Sequence, residues 1–409
     1  MRVAELTLQT CLATVVTLMR LLSLLFSFLV LSGITARGLE ISGKKIPEVY
    51  VEGLESALSR AGDNVAELRA AFARINNEEV AGMAFLVSHM PERDLVELKA
   101  DYLAENIKWA YKARAEFPWA KAIREELFFN DVLPYASINE RRDAWRKDFF
   151  GRFSPLVKNC KTPGEAAQVL NKEIWGIVGV RYHASKRPKP DQSPYESIEA
   201  KFASCSGLSV MLIDACRSVG VPARFVGTPM WSNKRGNHSW VEVWDGSDWQ
   251  YTGACEYNPA GLGKAWFAGS AAKAVKDDPR HAIYASSWKK SETIFPLVWD
   301  LGIDYVQAEN VTDRYAGRKA NRVFIDLVER PGGERVAADV EVFYKGKRIA
   351  GGRTRDATND TNDMLGVSLK GGDDYQLRIV GKDNEPLLRK FRPSGMEDER
   401  IEVFIEIPR

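Results

Sequence analysis

Cysteine and histidine are scarce in this chain of 409 residues: five of the first, four of the second. No two cysteines stand at C-x-x-C spacing, which excludes zinc fingers, thioredoxin-like redox motifs and a dense disulfide scaffold. An excess of one charge is also missing. Lys and Arg number 57 against 55 Asp and Glu, so no broad field points at nucleic acid or an acidic polymer. No apolar run reaches the ~20 residues that a spanning helix needs. What is there is ordinary for a folded protein: 45% hydrophobic, 10% aromatic and 27% charged residues. That composition excludes wholesale disorder and a polytopic membrane protein. The length suggests two to three domains. No cofactor and no metal site is expected, and each candidate nucleophile or base can be weighed singly.

Residues 1–36 contain one acid, Glu5. Arg20 precedes the apolar run Leu21–Leu31 and small residues follow to Ala36, the order of a secretory signal peptide. Secreted or periplasmic localisation is therefore expected, with Met19 as a tidier start than Met1 and an uncleaved membrane anchor as the second reading. Cys160, Cys205, Cys216 and Cys255 would remain after cleavage, and their pairing is open.

Residues 45–155 read as a helical amino-terminal domain. Asn64 with Glu67 is expected to cap a helix carrying Val65, Leu68, Phe72 and Ile75, and Asp94 to cap the next. Further helical stretches cover Ile123–Phe129 and Trp145–Phe150. Thr162-Pro163-Gly164-Glu165 is a helix start, with Thr as cap, Pro first and Glu third. The Lys186–Pro194 segment, with three prolines, must be irregular, either a plain exposed loop or one wall of a substrate cleft. From about 320 to 409 the pattern alternates in short runs, Val323–Leu327, Val340–Tyr344, Tyr375–Ile379 and Ile401–Ile405, which suggests a β-sandwich. Asp356, Asp360 and Asp363 are by residue type a candidate calcium site, but they fit no EF-hand spacing and read rather as a solvated loop.

The chemistry concentrates between Phe202 and Glu256. Ser204-Cys205-Ser206-Gly207 opens a helix with Leu208, Leu212, Ala215 and Val219 on one face, closed by Gly220 and Pro222. Cys205 therefore stands at a helix amino terminus, where the dipole favours thiolate and free amides could hold an oxyanion. Cys216 lies roughly 16 Å up the axis and reads as a core thiol. After a strand at Val221–Gly227, His238-Ser239-Trp240-Val241-Glu242-Val243 forms a second, turning at Asp245–Asp248 into Trp249–Gly253. Thiol and imidazole on adjoining elements make the pair that nucleophilic acyl transfer requires.

The segment Ala203–Glu256 resembles the core of the transglutaminase-like superfamily. Its pattern of Cys at a helix start, "GIPAR", then "HxWxEV" stands here as Cys205, Gly220-Val221-Pro222-Ala223-Arg224 and His238–Val243. The resemblance implies an α+β fold: a papain-like core at about 156–315 between the helical region and the sandwich. It implies a Cys205 acyl-enzyme formed on a protein or peptide amide, passed to water or to an amine. Ser204, Ser206 and Trp240 are then candidates for the oxyanion or cleft. In one respect the chain departs from the pattern. The superfamily aspartate falls at Gly253, so the third member must come from elsewhere. Glu242 is roughly 13 Å along the strand and too far. Glu256, where Tyr257-Asn258-Pro259 ends the strand, is the best placed. The other possibilities are a bare Cys–His dyad, Asn237 or Asn258, or an inactive fold serving as a binding or structural module. Cys255, opposite His238, could also replace Cys205 but lacks the helix terminus.

Overall fold

Apolar residues at helical spacing between 48 and 157 fold into a layer of helices, from Glu48–Arg60 to Arg146–Val157, in the computed structural model. It describes residues 38–316, 323–367, 369, 371–380, 386–394 and 399–405. The expected signal segment, residues 1–36, lies outside the described residues. Among the described residues no helix is long and apolar enough to cross a membrane.

Two expected caps are used differently. Asn64 does not cap its helix; its amide donates to the Leu95 and Leu98 carbonyls and its oxygen accepts from Lys99. Glu67 instead accepts from the amide of Ala100, at the start of the helix Ala100–Glu116. Asp94 is not a cap either. It lies inside the short helix Glu92–Glu97, buried against Arg142 and Tyr135. In each case a polar side chain with local geometry suited to a cap serves a longer-range contact that spacing does not reveal.

The central part is built on a six-stranded antiparallel sheet. Its strand order is Trp249–Thr252, His238–Trp244, Ala223–Thr228, Tyr284–Ser287, Gln307–Asn310, Thr293–Ile294. Against it pack the helices Pro163–Val178 and Cys205–Ser218. The first begins as its sequence dictates, with Thr162 Oγ1 accepting from Glu165 N at 3.1 Å. It ends at Gly179, which takes the left-handed conformation. One continuous hydrophobic cluster, from Ile41 to Ala308, joins the helical layer to this sheet. Buried Arg146 ties them further: its guanidinium donates to the carbonyls of Val132, Leu133, Pro134 and Arg217 and to Asn106 Oδ1.

The carboxy-terminal region is two sheets facing a second cluster around Ile325, Leu327, Val342 and Leu377. One sheet has the order Leu365–Val367, Val323–Val328, Arg400–Phe404. The other runs Lys347–Arg353, Asp339–Tyr344, Tyr375–Val380, Pro386–Phe391. All four expected strands are present. The loop between Arg353 and Leu365 reaches back to the central part: Thr361 N donates to Tyr182 Oη, and Asn362 Nδ2 donates to the Asn237 carbonyl.

Candidate active site

Cys205 is the first residue of its helix, behind Ser204 as N-cap. Ser204 Oγ accepts from the amides of Ser206 and Gly207 and donates to the Pro190 carbonyl at 2.8 Å. Two amides expected to be free for an oxyanion are thus satisfied by the cap, which leaves the amide of Cys205 itself. Ser206 Oγ pairs with Ser239 Oγ at 3.1 Å, locking the helix start to the strand that carries His238. Cys216 is fully buried, with burial raising its thiol pKa, and is a core residue as expected.

His238 opens the strand His238–Trp244, opposite Thr228. Its ring is buried among Trp231, Trp240, Trp266 and Phe267, with centroids 4.8–5.9 Å away. Trp240, a candidate for the oxyanion or cleft, is corrected to a support: it is 0% exposed and donates to Tyr315 Oη at 2.9 Å. Glu242 is likewise occupied, by Arg224 at 2.7 Å and by the Tyr315 hydroxyl.

Asp360 is the residue that sequence reasoning missed. It is buried, not solvated, and its Oδ2 lies 3.4 Å from His238 Nδ1. At that distance the contact is an ion pair more than a well-formed hydrogen bond. The thiol of Cys205, an imidazole nitrogen of His238 and a carboxylate oxygen of Asp360 all lie within 4.8 Å of one another. A thiol and a carboxylate in line with opposite ring nitrogens would be roughly 8 Å apart, two hydrogen bonds plus the ring's width. Asp360 and Cys205 are therefore not in line across the imidazole but close to one another beside it. Asp363 is buried too, paired with Arg355 at 3.0 Å, so this acidic loop is largely an interface. Only the position of Asp360, 155 residues beyond Cys205 on a separate sheet system, hid it. No spacing rule links such residues.

Glu256 reaches the same place from the other side. Strand pairing continues to Val241 opposite Thr252. Cys255 then adopts a left-handed conformation (φ 65°), and Glu256 N turns back to the Gly253 carbonyl at 3.3 Å. The Glu256 carboxyl consequently occupies the room a side chain at 253 would take: a Cβ on Gly253 would lie 1.9 Å from Glu256 Oε2. The glycine and the displaced acid are one arrangement. Asn171 clamps this turn, bonding to the Gly253 carbonyl, Thr252 Oγ1 and Cys255 N. A cavity of about 20 Å³ brings Cys205, His238, Glu256 and Asp360 together. Asn237 and Asn258 are not among its walls.

The charges divide unequally. Burial works against the His238 cation, yet Asp360 and then Cys205 outweigh it and raise its pKa well above the ordinary value. Burial would likewise raise Asp360, but His238 and the amide of Asn362 hold it below the usual carboxylate range. Glu256 is pushed up to about 8, chiefly by burial, against the opposing pull of His238. Its carboxylate accepts from Trp266 Nε1 at 2.8 Å. At neutral pH, Asp360 carries the charge and Glu256 holds its proton. Cys255 is pushed up to about 12 by burial, which disfavours it as a nucleophile. As a donor set, Cys205, His238 and Asp360 would suit a zinc-like ion, the one such group found among the described residues.

Residues 153–254 match the family model of the transglutaminase-like superfamily. This part of the chain is a transglutaminase-like core. The matched segment takes in both the nucleophile helix and the His238 strand and stops two residues short of Glu256. No curated protein matches the chain. Among solved structures it is similar to a Cytophaga hutchinsonii protein provisionally named a cysteine protease. The identity is 17% and the TM-score 0.27, over 36% of this chain and 48% of that one. The chain thus matches about half the length of that structure.

Proposed function

We propose that the protein is an exported cysteine enzyme that attacks a protein or peptide amide through a Cys205 acyl-enzyme. The observation that carries the reading is the convergence of Cys205, His238 and Asp360 within 4.8 Å at a helix amino terminus. His238 takes the thiol proton, and the resulting imidazolium faces the Asp360 carboxylate. The thiolate adds to the amide carbon, the Cys205 amide, with the helix dipole behind it, holds the oxyanion, and His238 returns the proton to the departing amine. Water or an amine then attacks the thioester. Glu256, in the place of the missing aspartate, completes the shell around the ring as a protonated acid at neutral pH. Export is proposed from the order of residues 20–36 alone.

A peptide-library digest read by mass spectrometry tests this directly. New termini or amine adducts should form with the parent and vanish in Cys205→Ala. Products unchanged in that variant would refute the assignment. The rival reading, a catalytically degenerate fold acting as a binding module, draws on Gly253. It weakens because the space over Gly253 is filled by another carboxyl group.

A further inference from the structure

A second cavity, of about 290 Å³, opens directly onto Cys205 and is large enough for one or two amino-acid residues. One wall is the proline-rich loop, through Arg187 and Pro190; Trp299 lines it as well, and Asp360 stands beside Cys205. The loop is not a loose flap. Pro188 and Pro190 restrict its backbone, and the Pro190 carbonyl is bonded to Ser204, the cap of the nucleophile helix.

Arg187 is the unusual member of this wall. Its Nε is buried without a hydrogen-bond partner, and its guanidinium makes no ion pair among the described residues. The neighbouring cations differ: Lys189 pairs with Glu196 at 3.0 Å, and Lys186 lies over the Phe202 ring. Asp360, the acid of the same cavity, is committed to His238 and to the amide of Asn362. Arg187 as a whole is only partly buried, and its terminal guanidinium nitrogens, which no acid of the described residues pairs with, form a planar fork that matches a carboxylate with two parallel bonds.

We infer that this cavity is a carboxylate-binding subsite and that Arg187 recognises the carboxylate. The inference rests on the acyl-transfer reading and adds a substrate class to it: peptides with an acidic side chain or a free chain end within about a residue of the scissile amide. The small volume and the indole of Trp299 favour an amino-acid residue over a bare inorganic anion.

Two alkylating reagents test this without a known substrate. Iodoacetate and iodoacetamide attack the same sulfur, but only iodoacetate carries a carboxylate. Rates are read at Cys205 by peptide mass spectrometry. Replacing Arg187 by Gln should lower the iodoacetate-to-iodoacetamide rate ratio about tenfold, and added salt should erode the parent's ratio. Arg187→Lys should keep part of it, having charge but no fork. A ratio within about twofold of the parent in Arg187→Gln overturns the inference, whether or not both rates have fallen together. Slow labelling of Cys205 by iodoacetamide in the parent is a separate result. It counts against the acyl-transfer reading and leaves the ratio to report on Arg187.

Discussion

Charge placement around one imidazole decides what each residue does. Asp360 is the anion at neutral pH, so Asp360→Asn should lower the His238 pKa and slow alkylation of Cys205. A neighbouring opposite charge is worth about one to three pKa units, so the slowing should be at least roughly tenfold and at most about a thousandfold. Glu256→Gln should behave otherwise. Below about pH 8 the parent residue is protonated and glutamine reproduces its charge, so the rates should nearly coincide. Above that pH the parent gains a second anion beside His238, which keeps the imidazolium charged. The variant cannot, so its activity should fall at lower pH on the alkaline side. A pH–rate profile of both proteins checks this, and a uniform loss at all pH values would contradict it. Restoring the superfamily residue alone should fail, because Gly253→Asp forces its Cβ onto Glu256. With Glu256→Ala in the same chain the two closest atoms are gone and only the Cβ of residue 256, 3.1 Å away, remains, so folding and labelling should recover in large part. Cys205 and His238 were legible in the sequence because helix start, spacing and flanking residues agree. Asp360 was not, since burial by another sheet system is invisible to local pattern.

Helix ends show the same division. Thr162-Pro163-Gly164-Glu165 acts locally and caps as expected, whereas Ser204, a candidate for the oxyanion or cleft, proves to be the cap of the nucleophile helix. Ser193-Pro194-Tyr195-Glu196 carries an equally clear signal, a capping box opening the helix Pro194–Ala200, but the preceding prolines masked it. Asn64, Glu67 and Asp94 escape a local reading because their partners lie some 30 to 50 residues away. The far end of the nucleophile helix offers the sharpest element-scale test. Gly220 has φ 73°, and a Cβ there would lie 2.6 Å from that of Ala120 in the helical layer. Gly220→Ala combines left-handed strain with overpacking and should destabilise by roughly 2–4 kcal/mol. Urea unfolding should show the midpoint fall, with the loss shared by sheet and helical layer because they have one core.

At the scale of the molecule, the site spans parts of the chain with separate hydrophobic clusters. Cys205 and His238 belong to the central sheet and its helices, while Asp360 hangs from the sandwich. Arg335 holds that loop in place, donating to the carbonyls of Asp360 and Asp363 while pairing with Asp326. Arg335→Met, distant in sequence from the thiol, should therefore slow Cys205 alkylation in the same direction as Asp360→Asn. An unchanged rate would show that the loop keeps its place without Arg335. The alternating texture beyond 320 made the sandwich legible, but its part in the site depends on how the loop docks.

The most direct measurement is the rate of Cys205 alkylation by iodoacetamide across pH in the parent, His238→Ala and Asp360→Asn, with partly exposed Cys160 of the same chain as internal reference. The account predicts that parental Cys205 reacts far faster than Cys160 at pH 6–7 and that both substitutions remove most of the advantage. Cys205 reacting no faster than Cys160 in the parent, or indifferent to both substitutions, would contradict it.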